Sequence, residues 1–358
     1  MSYFLLPKIN NIINVNPILN EKYISNQYVS NSLYNYYNEI YNQIISYIDL
    51  SDSTDISYNT FEELTKIVNP YEYIFSKVPS SKFSVSKLKP VTNLFYEFLE
   101  ICTSLAIFDE YKSKKINTLY FSPNSYDTIE CFEMIRENYS DKITHFDEIN
   151  NENIELICDD KFNFLFFETK NENTDDYIIS LIKTLMIIYR NQEQCGTCII
   201  KINTLFNKVT TDFVYILSSL FDKTYILKPN ASNIATYDKY IVCKNYNVNE
   251  NKSKQYKLNY FRLSVFLNKI EEKKVYSLLD FDIPYYFLTK IDDINIIIGQ
   301  QQIESLDLII NILKNKNKEE KIETIKKTSI QKSVSWCEKY KIPCNKFSEK
   351  TNIFLPIT

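Results

Sequence analysis

One segment, residues 195–246, restricts the possible folds more than any other part of the chain. Its pattern predicts a strand, an amphipathic helix and then two more strands joined by the turn-forming sequence KPNASN, at 197–203, 209–220, 223–227 and 237–243. In an ordinary α/β chain single strands alternate with helices, so a closing pair of strands joined as a hairpin is unusual. The segment therefore predicts an α/β sheet that ends in a hairpin.

The residues before this segment alternate between strand and helix patterns. Short apolar runs predict strands at 117–121, 142–146 and 162–168, with a weaker strand in ELIC at 155–158, and longer amphipathic runs predict helices at 126–138 and 175–191. Strands interleaved with helices form a parallel sheet with helices on both faces, and the terminal hairpin would add an antiparallel edge. Ligands of such sheets bind beyond the carboxyl ends of the strands.

The two ends of the chain have a different character from this middle part. Apolar and aromatic residues at helical spacing predict a helical N-terminal extension over residues 1–65, in which Thr60 and Glu63 form a capping box at a helix start. The α/β domain is predicted to span residues 66–247. A charged stretch follows it, and residues 248–358 are predicted to form a helical C-terminal extension that packs on the domain.

Glycine is scarce, and this limits which ligands the chain can bind through its backbone. The sequence has only Gly196 and Gly299, whereas roughly 25 glycines are expected at the usual frequency of about 7%. Loops that bring backbone close to a phosphate or a cofactor need residues with positive φ, which glycine supplies most readily. The standard Walker and dinucleotide-binding loops are therefore excluded.

Charge and cysteine usage give weaker indications of partner and compartment. A formal net charge of −4 argues against a uniformly basic surface, although 41 lysines and arginines allow a local patch. The CxxC pair of Cys195 and Cys198 has no second pair to complete it, and His145 is the single histidine, so we expect no metal site. Most cysteines lie in apolar runs, and we find neither a signal peptide nor an apolar run long enough to span a membrane. We expect a cytoplasmic protein that is not secreted and does not bind membranes.

Two motifs in the constraining segment resemble those of a known enzyme family. The strand CGTCIIKI and the hairpin KPNASNIATYDKYIVC are similar to the corresponding segments of FtsJ-like RNA ribose 2'-O-methyltransferases. NPYEYIF, FYEFLEI and SVSWCEKYKIP resemble flanking sequences of the branch found in large DNA viruses, so the resemblance covers roughly residues 65–345. It implies a class I methyltransferase fold, which is a Rossmann-like mixed sheet with an antiparallel terminal hairpin.

The resemblance also implies a set of catalytic positions. The family transfers a methyl group from S-adenosylmethionine to a ribose 2'-OH near an mRNA cap and uses a Lys-Asp-Lys-Glu tetrad, in which the second lysine is the base. The corresponding residues here are Glu97, Glu168, Lys201 and Asp238. The base is kept as Lys201, whereas Glu97 reverses the charge of the first lysine. Three carboxylates around one lysine would keep it protonated, the opposite of what a general base needs.

The cofactor-binding positions implied by the resemblance are altered too. The family has a Pro-Gly-Gly-Phe turn after the first strand, where this chain has Ser122, Pro123, Asn124, Ser125 and Tyr126. We expect Asn124 to be able to adopt a left-handed conformation, whereas Ser125 adds a side chain where the backbone should be bare. The acidic residue that would hold the cofactor ribose is Asp147 or Glu148.

These changes favour a protein that has kept the fold and lost catalysis. We expect it to act as a capped-RNA-binding or partner-stabilising subunit in viral mRNA capping, processing or translation, with no bound cofactor. The lysines expected to contact RNA are Lys82, Lys87, Lys89 and Lys228, although a solvated loop explains the first three about as well. Two alternatives stay open: an active cap ribose 2'-O-methyltransferase that binds S-adenosylmethionine, and a virion or scaffold protein. The expected location is the host cytoplasm or a viral factory, with packaging in the virion left open.

Overall fold

A computed structural model describes residues 2–20, 28–50, 60–76, 83–158, 160–169, 173–269, 274–315 and 318–345. Its strands are β1 (Ser2–Leu5), β2 (Ile18–Asn20), β3 (Asn117–Phe121), β4 (Lys142–Phe146), β5 (Phe162–Glu168), β6 (Gln192–Ile202), β7 (Phe221–Lys228), β8 (Lys239–Tyr246) and β9 (Lys274–Ser277). Its α-helices are α1 (Asn31–Leu50), α2 (Phe61–Val68), α3 (Leu94–Ser104), α4 (Ser125–Ile135), α5 (Asn151–Leu156), α6 (Thr174–Asn191), α7 (Lys208–Leu220), α8 (Glu250–Leu267), α9 (Tyr285–Lys314) and α10 (Lys318–Lys339).

Seven of the strands form a mixed sheet in the order β1-β7-β8-β6-β5-β3-β4. The pairs β4–β3, β3–β5 and β5–β6 are parallel, whereas β8 runs antiparallel to β6 and to β7. β2 and β9 form a separate two-stranded sheet. The α/β class and the mixed sheet with an antiparallel hairpin are thus confirmed, and the architecture is consistent with a Rossmann-like fold.

Helices cover both faces of the sheet, and the central strand β5 shows why. Phe164 and Phe166 belong to one apolar core, which also contains residues of α2, α3, α4, α9 and α10. Leu165 and Phe167 belong to the other core, together with residues of α6, α7 and α8. Successive side chains of a strand point to opposite faces, so an uninterrupted apolar run such as FNFLFF suits a strand that is buried on both sides. All four side chains are fully buried.

Most element boundaries agree with the sequence patterns. β3, β4 and β5 coincide with the predicted strands 117–121, 142–146 and 162–168. The capping box at the start of α2 is also present, since Thr60 and Glu63 each accept a hydrogen bond from the other's backbone N–H. The strand predicted at 155–158 is wrong, because α5 runs through Leu156. Asn150 caps that helix by accepting a hydrogen bond from the N–H of Asn153, which favours helix over strand.

The predicted helical extensions at both ends contain strands as well. β1 pairs antiparallel with β7, so the hairpin does not form the edge of the sheet as predicted. β2 pairs with β9 and thereby joins the N-terminal segment to the C-terminal one. An open strand edge leaves backbone N–H and C=O groups unpaired, and pairing with β1 satisfies those of β7. These strands correct the purely helical descriptions of residues 1–65 and 248–358.

Of the helices that the structure describes, none combines the length and the apolar character that crossing a lipid bilayer requires.

Candidate functional site

A buried ion cluster lies at the carboxyl end of the central strands. Lys201, near the end of β6, places its Nζ 3.2 Å from a carboxylate oxygen of Glu97 and 3.5 Å from one of Glu168. Glu97 comes from α3, and Glu168 is the last residue of β5, directly beside Lys201 in the parallel register. The side chain of Lys201 is only 10% exposed. The fold therefore brings together three of the four tetrad positions that the resemblance implied.

Neighbouring hydroxyl groups hold the two carboxylates in place. The Tyr240 hydroxyl, from β8, donates a hydrogen bond to Glu97. The Ser122 hydroxyl, which directly follows β3, donates to Glu168 over 2.6 Å. Each carboxylate therefore has a cation and a hydroxyl as partners, which is how buried charges are usually compensated. The cluster connects β3, β5, β6, β8 and α3.

The electrostatic balance keeps Lys201 charged. Burial by itself lowers the pKa of the Lys201 ammonium. The carboxylates of Glu97, Asp238 and Glu168 act in the opposite direction and outweigh burial, so that this pKa lies above its ordinary value. Lys201 is therefore an ammonium at neutral pH and has no lone pair with which to accept a proton.

Asp238, the fourth tetrad position, acts on Lys201 through its charge and lies in the turn between β7 and β8. Its backbone carbonyl accepts a hydrogen bond of 2.9 Å from the ammonium of Lys228. Lys228 also donates to the carbonyl and the hydroxyl of Thr236, and it is buried. The ammonium of Lys228 thus holds the hairpin turn together, and we leave this residue out of the RNA-binding surface that the sequence suggested.

Lys239, the residue after Asp238, has a lowered pKa and was not among the predicted site residues. Lys239 is buried, and burial, reinforced by the charge of Lys228, lowers its pKa to about 7. Its ammonium donates a hydrogen bond to the carbonyl of Tyr237 and lies 5.7 Å from the centre of the Phe206 ring. Nothing in the sequence pattern distinguishes Lys239 from an ordinary lysine at a strand start, which is commonly exposed.

A cleft of about 630 Å³ adjoins the cluster, and we call it the carboxyl-end cleft. Residues at or just beyond the ends of β3, β4 and β5 line it, and the strand order reverses between β3 and β5, which is where ligands of such sheets bind. Its charged lining residues are Asp147, Glu148, Glu168, Asp176 and Lys183. A lining with four carboxylates and one ammonium favours a cationic ligand. Asp147 and Glu148, the two candidates from the sequence, both lie in this lining, whereas Asp176 and Lys183 were not predicted.

The loop that replaces the family's glycine turn has an ordinary backbone. Asn124 has φ −113° and so does not adopt the left-handed conformation that its residue type allows. The Ser122 hydroxyl accepts a hydrogen bond from the N–H of Asn124 and makes the turn without a glycine. Ser125 begins α4 with a buried side chain, and its hydroxyl has no hydrogen-bond partner among the described residues. Pro123 lines the carboxyl-end cleft, whereas the Tyr126 ring is outside that lining, is 69% exposed and lies near His145.

The loop with the predicted RNA-contacting lysines lies at the same edge of the sheet. Lys82 is outside the described residues, and Lys87 and Lys89 are exposed. The buried carboxylate of Asp127, in the first turn of α4, accepts hydrogen bonds from the N–H groups of residues 91 and 92 and so holds the end of this loop. The N–H of Lys87 donates to the carbonyl of residue 343, which brings the exposed Lys341 to the same region. Lys341 was not among the lysines predicted from the sequence to contact RNA.

Within the part of the chain that the structure describes, no three His, Cys, Asp or Glu side chains are placed to hold a metal ion. A comparison with models of known protein families finds no match to this chain, and a comparison with curated proteins finds no significant relative. The family resemblance therefore rests on the motif residues alone and stays a hypothesis.

Proposed function

We propose that this chain is a methyltransferase-like protein that binds RNA and does not methylate it. Its role would be that of a capped-RNA-binding or partner-stabilising subunit in viral mRNA capping, processing or translation. One observation carries the proposal: the lysine at the position of the family's base is buried between Glu97 and Glu168, with a pKa above its ordinary value. A general base must be able to accept a proton, and Lys201 already holds one.

The charge of the cluster also opposes the transition state. The family's tetrad of two lysines and two carboxylates is neutral, whereas Glu97, Glu168, Lys201 and Asp238 together carry a formal charge of −2. Removing the proton from a ribose hydroxyl creates negative charge on its oxygen, and catalysis needs positive groups or hydrogen-bond donors directed at that oxygen. An additional carboxylate at this point raises the energy of the developing alkoxide.

RNA would contact the loop that precedes α3, the helix that carries Glu97. Lys87, Lys89 and Lys341 are exposed, and the hydrogen bond of Lys87 to residue 343 places the two segments side by side. Lysine ammonium groups bind phosphates as point charges, and each contact adds a salt-dependent contribution to the affinity.

The test is to measure the binding of capped and uncapped RNA as a function of salt concentration. For the double variant Lys87→Gln/Lys89→Gln we expect weaker binding and a slope of log K against log salt that is smaller by about 1–2, since each phosphate contact to a single strand contributes about 0.7. Lys327→Gln, which removes an exposed charge in the middle of α10, is the matched control. If neither RNA binds at low salt, the proposal fails and a scaffold role in the virion is favoured.

A second function, ribose 2'-O-methylation, is favoured by the carboxyl-end cleft. The cleft has room for a ligand, since small-molecule sites are typically about 300–1,000 Å³, and Tyr126 is not part of its lining. Its acidic lining suits S-adenosylmethionine, which has a sulfonium and an ammonium group, and Asp147 lies where an acidic residue would accept hydrogen bonds from the ribose hydroxyls. The cofactor would supply the methyl group; the residues of the Lys201 cluster do not fit the role of a base.

Calorimetric titration with S-adenosylmethionine and methyl incorporation into capped RNA separate the two functions. Non-catalytic RNA binding predicts no methyl transfer at any pH at which the protein is folded. Methyl transfer that disappears in a folded Lys201→Ala variant would establish the enzyme and overturn our proposal.

A further inference from the structure

A second cleft lies at the opposite end of the sheet, between the starts of β5 and β6 and helix α8, and we call it the amino-end cleft. Its volume is about 350 Å³, which lies in the range of small-molecule sites, typically about 300–1,000 Å³. Gln192, the first residue of β6, lines it, whereas Lys201 lies near the other end of the same strand. Nine residues of extended strand put the two sites roughly 25–30 Å apart.

The lining of the amino-end cleft is positively charged. Lys161, Arg190 and Lys257 contribute cations, and none of the described lining residues is a carboxylate. Burial lowers the pKa of Lys161, and the charges of Lys257 and Arg190 lower it further, while that of Glu193 acts in the opposite direction. Cations that repel one another around a concave surface are favourable for an anionic ligand.

Two buried polar groups belong to residues that line the cleft. The hydroxyl of Tyr246 and the side-chain oxygen of Gln192 form no hydrogen bond with any residue that the structure describes. These residues are 2% and 1% exposed. A buried polar group without a partner costs stability, so such groups are rare unless they serve a ligand or a bound water. Together they place one donor and one acceptor in the wall of the cleft.

Aromatic rings accompany these polar groups. The Tyr256 ring lies 5.4 Å from that of Tyr189 and 5.7 Å from that of Tyr246, measured between centroids. The guanidinium of Arg190 lies 5.3 Å from the centre of the Tyr260 ring and donates a hydrogen bond to its hydroxyl. Tyrosine rings and guanidinium planes are surfaces on which nucleobases stack, and lysine and arginine bind phosphates.

We propose that the amino-end cleft binds a nucleoside phosphate, either as a free nucleotide or as one nucleotide of single-stranded RNA. Three cations would neutralise the phosphate, the tyrosine rings would contact the base, and Tyr246 and Gln192 would bond to its polar edge. The inference goes beyond the function proposed above, because the site is at the other end of the sheet and shares no residue with the Lys201 cluster.

The first test titrates the protein with AMP, GMP, CMP, UMP, inorganic phosphate and a short oligouridylate by calorimetry. Lys257→Glu should weaken nucleotide binding at least tenfold, whereas Lys254→Glu, an equal charge change at an exposed position of α8 outside the lining, should leave it unchanged. Tighter binding of the oligonucleotide than of the mononucleotides identifies RNA as the source of the ligand, and the reverse identifies a free nucleotide. Absence of binding, equal effects of the two variants, or phosphate binding as tightly as the nucleotides would overturn the proposal.

A second variant addresses the hydroxyl of Tyr246. Tyr246→Phe removes a hydroxyl that makes no hydrogen bond with any residue that the structure describes, so the melting temperature should stay the same or rise. Nucleotide affinity should fall about two- to tenfold, which corresponds to one lost hydrogen bond. A drop in melting temperature with unchanged affinity would mean that the hydroxyl serves the fold and not a ligand.

Discussion

Replacing Lys201 by methionine tests whether this lysine is a structural cation. Methionine fills a similar space without the charge, so the carboxylates of Glu97 and Glu168 would remain buried and lose their common partner. Removing one partner of a buried ion cluster typically costs about 3–5 kcal/mol, because the remaining charges are no longer compensated. We expect Lys201→Met to lower the free energy of unfolding by that amount.

The distances support this magnitude. At 3.2 and 3.5 Å, and with an effective dielectric constant of about 20, each carboxylate attracts the ammonium by about 5 kcal/mol. Burying the ammonium itself costs several kcal/mol, and part of the attraction offsets that cost. The methionine variant does not have this cost, so it must be subtracted from the attraction that the variant loses. The difference, about 3–5 kcal/mol, is a large share of the roughly 5–15 kcal/mol that stabilises a typical protein.

Urea unfolding at pH 8 and at pH 5.5 provides the measurement, with Lys327→Met as an exposed control. The loss in Lys201→Met should be smaller at pH 5.5, because uncompensated carboxylates take up protons more readily there and lose their charge. The double variant Lys201→Met/Glu97→Gln should be more stable than Lys201→Met by at least about 1 kcal/mol, because it removes one of the two uncompensated carboxylates.

A loss below about 1 kcal/mol at pH 8, or no recovery in the double variant, would refute this reasoning. Lys201 would then contribute little to the fold, and a catalytic role for it would have to be reconsidered.

Three other buried positions can be tested by substitution. Gly196→Ala should destabilise the protein by about 2–4 kcal/mol in urea unfolding, because the new Cβ would lie 2.8 and 2.9 Å from two backbone carbonyl oxygens; a loss under 0.5 kcal/mol would contradict it. Lys239→Met should raise stability by a few kcal/mol at pH 6.5, since the pKa of Lys239 falls from the ordinary 10.5 of the unfolded chain to about 7 in the fold. Its advantage should shrink by about 1.4 kcal/mol per pH unit between pH 7.5 and pH 10, and a pH-independent difference would contradict the assignment. Trp336→Phe removes the indole N–H that donates a hydrogen bond to Glu100, so it should lower the free energy of unfolding by about 1–3 kcal/mol. Its affinity for capped RNA should stay unchanged. A loss of the preference for capped over uncapped RNA would indicate that Trp336 stacks on the cap.

The sequence predicted the central elements well, because their signals are local. The run FNFLFFE is apolar at nearly every position and bounded by charges, so β5 was predicted with its correct ends. The family resemblance assigned Lys201 and Glu168 to one site, and the parallel register of β5 and β6 places these two residues side by side.

Features that depend on distant residues could not be predicted. The four residues of β1 carry no clear period, and their partner strand lies more than 200 residues away in the sequence. The amino-end cleft collects tyrosines from α6, β8 and α8, whose approach only the tertiary structure determines. The low pKa of Lys239 also depends on the tertiary structure, because burial and the neighbouring ammonium of Lys228 cause it.

The pairing of β1 with β7 has a consequence for how the protein is made. Leu5 leaves the ribosome roughly 220 residues before Tyr225, its partner in the sheet, so at about 5–20 residues per second β1 waits roughly 10–45 s for the strand that it pairs with. The outer edge of the sheet can therefore be completed only late in synthesis. Until β7 emerges, a nascent chain carries an unpaired β1, and a longer chain on a neighbouring ribosome of the same messenger could pair with it through its own β7.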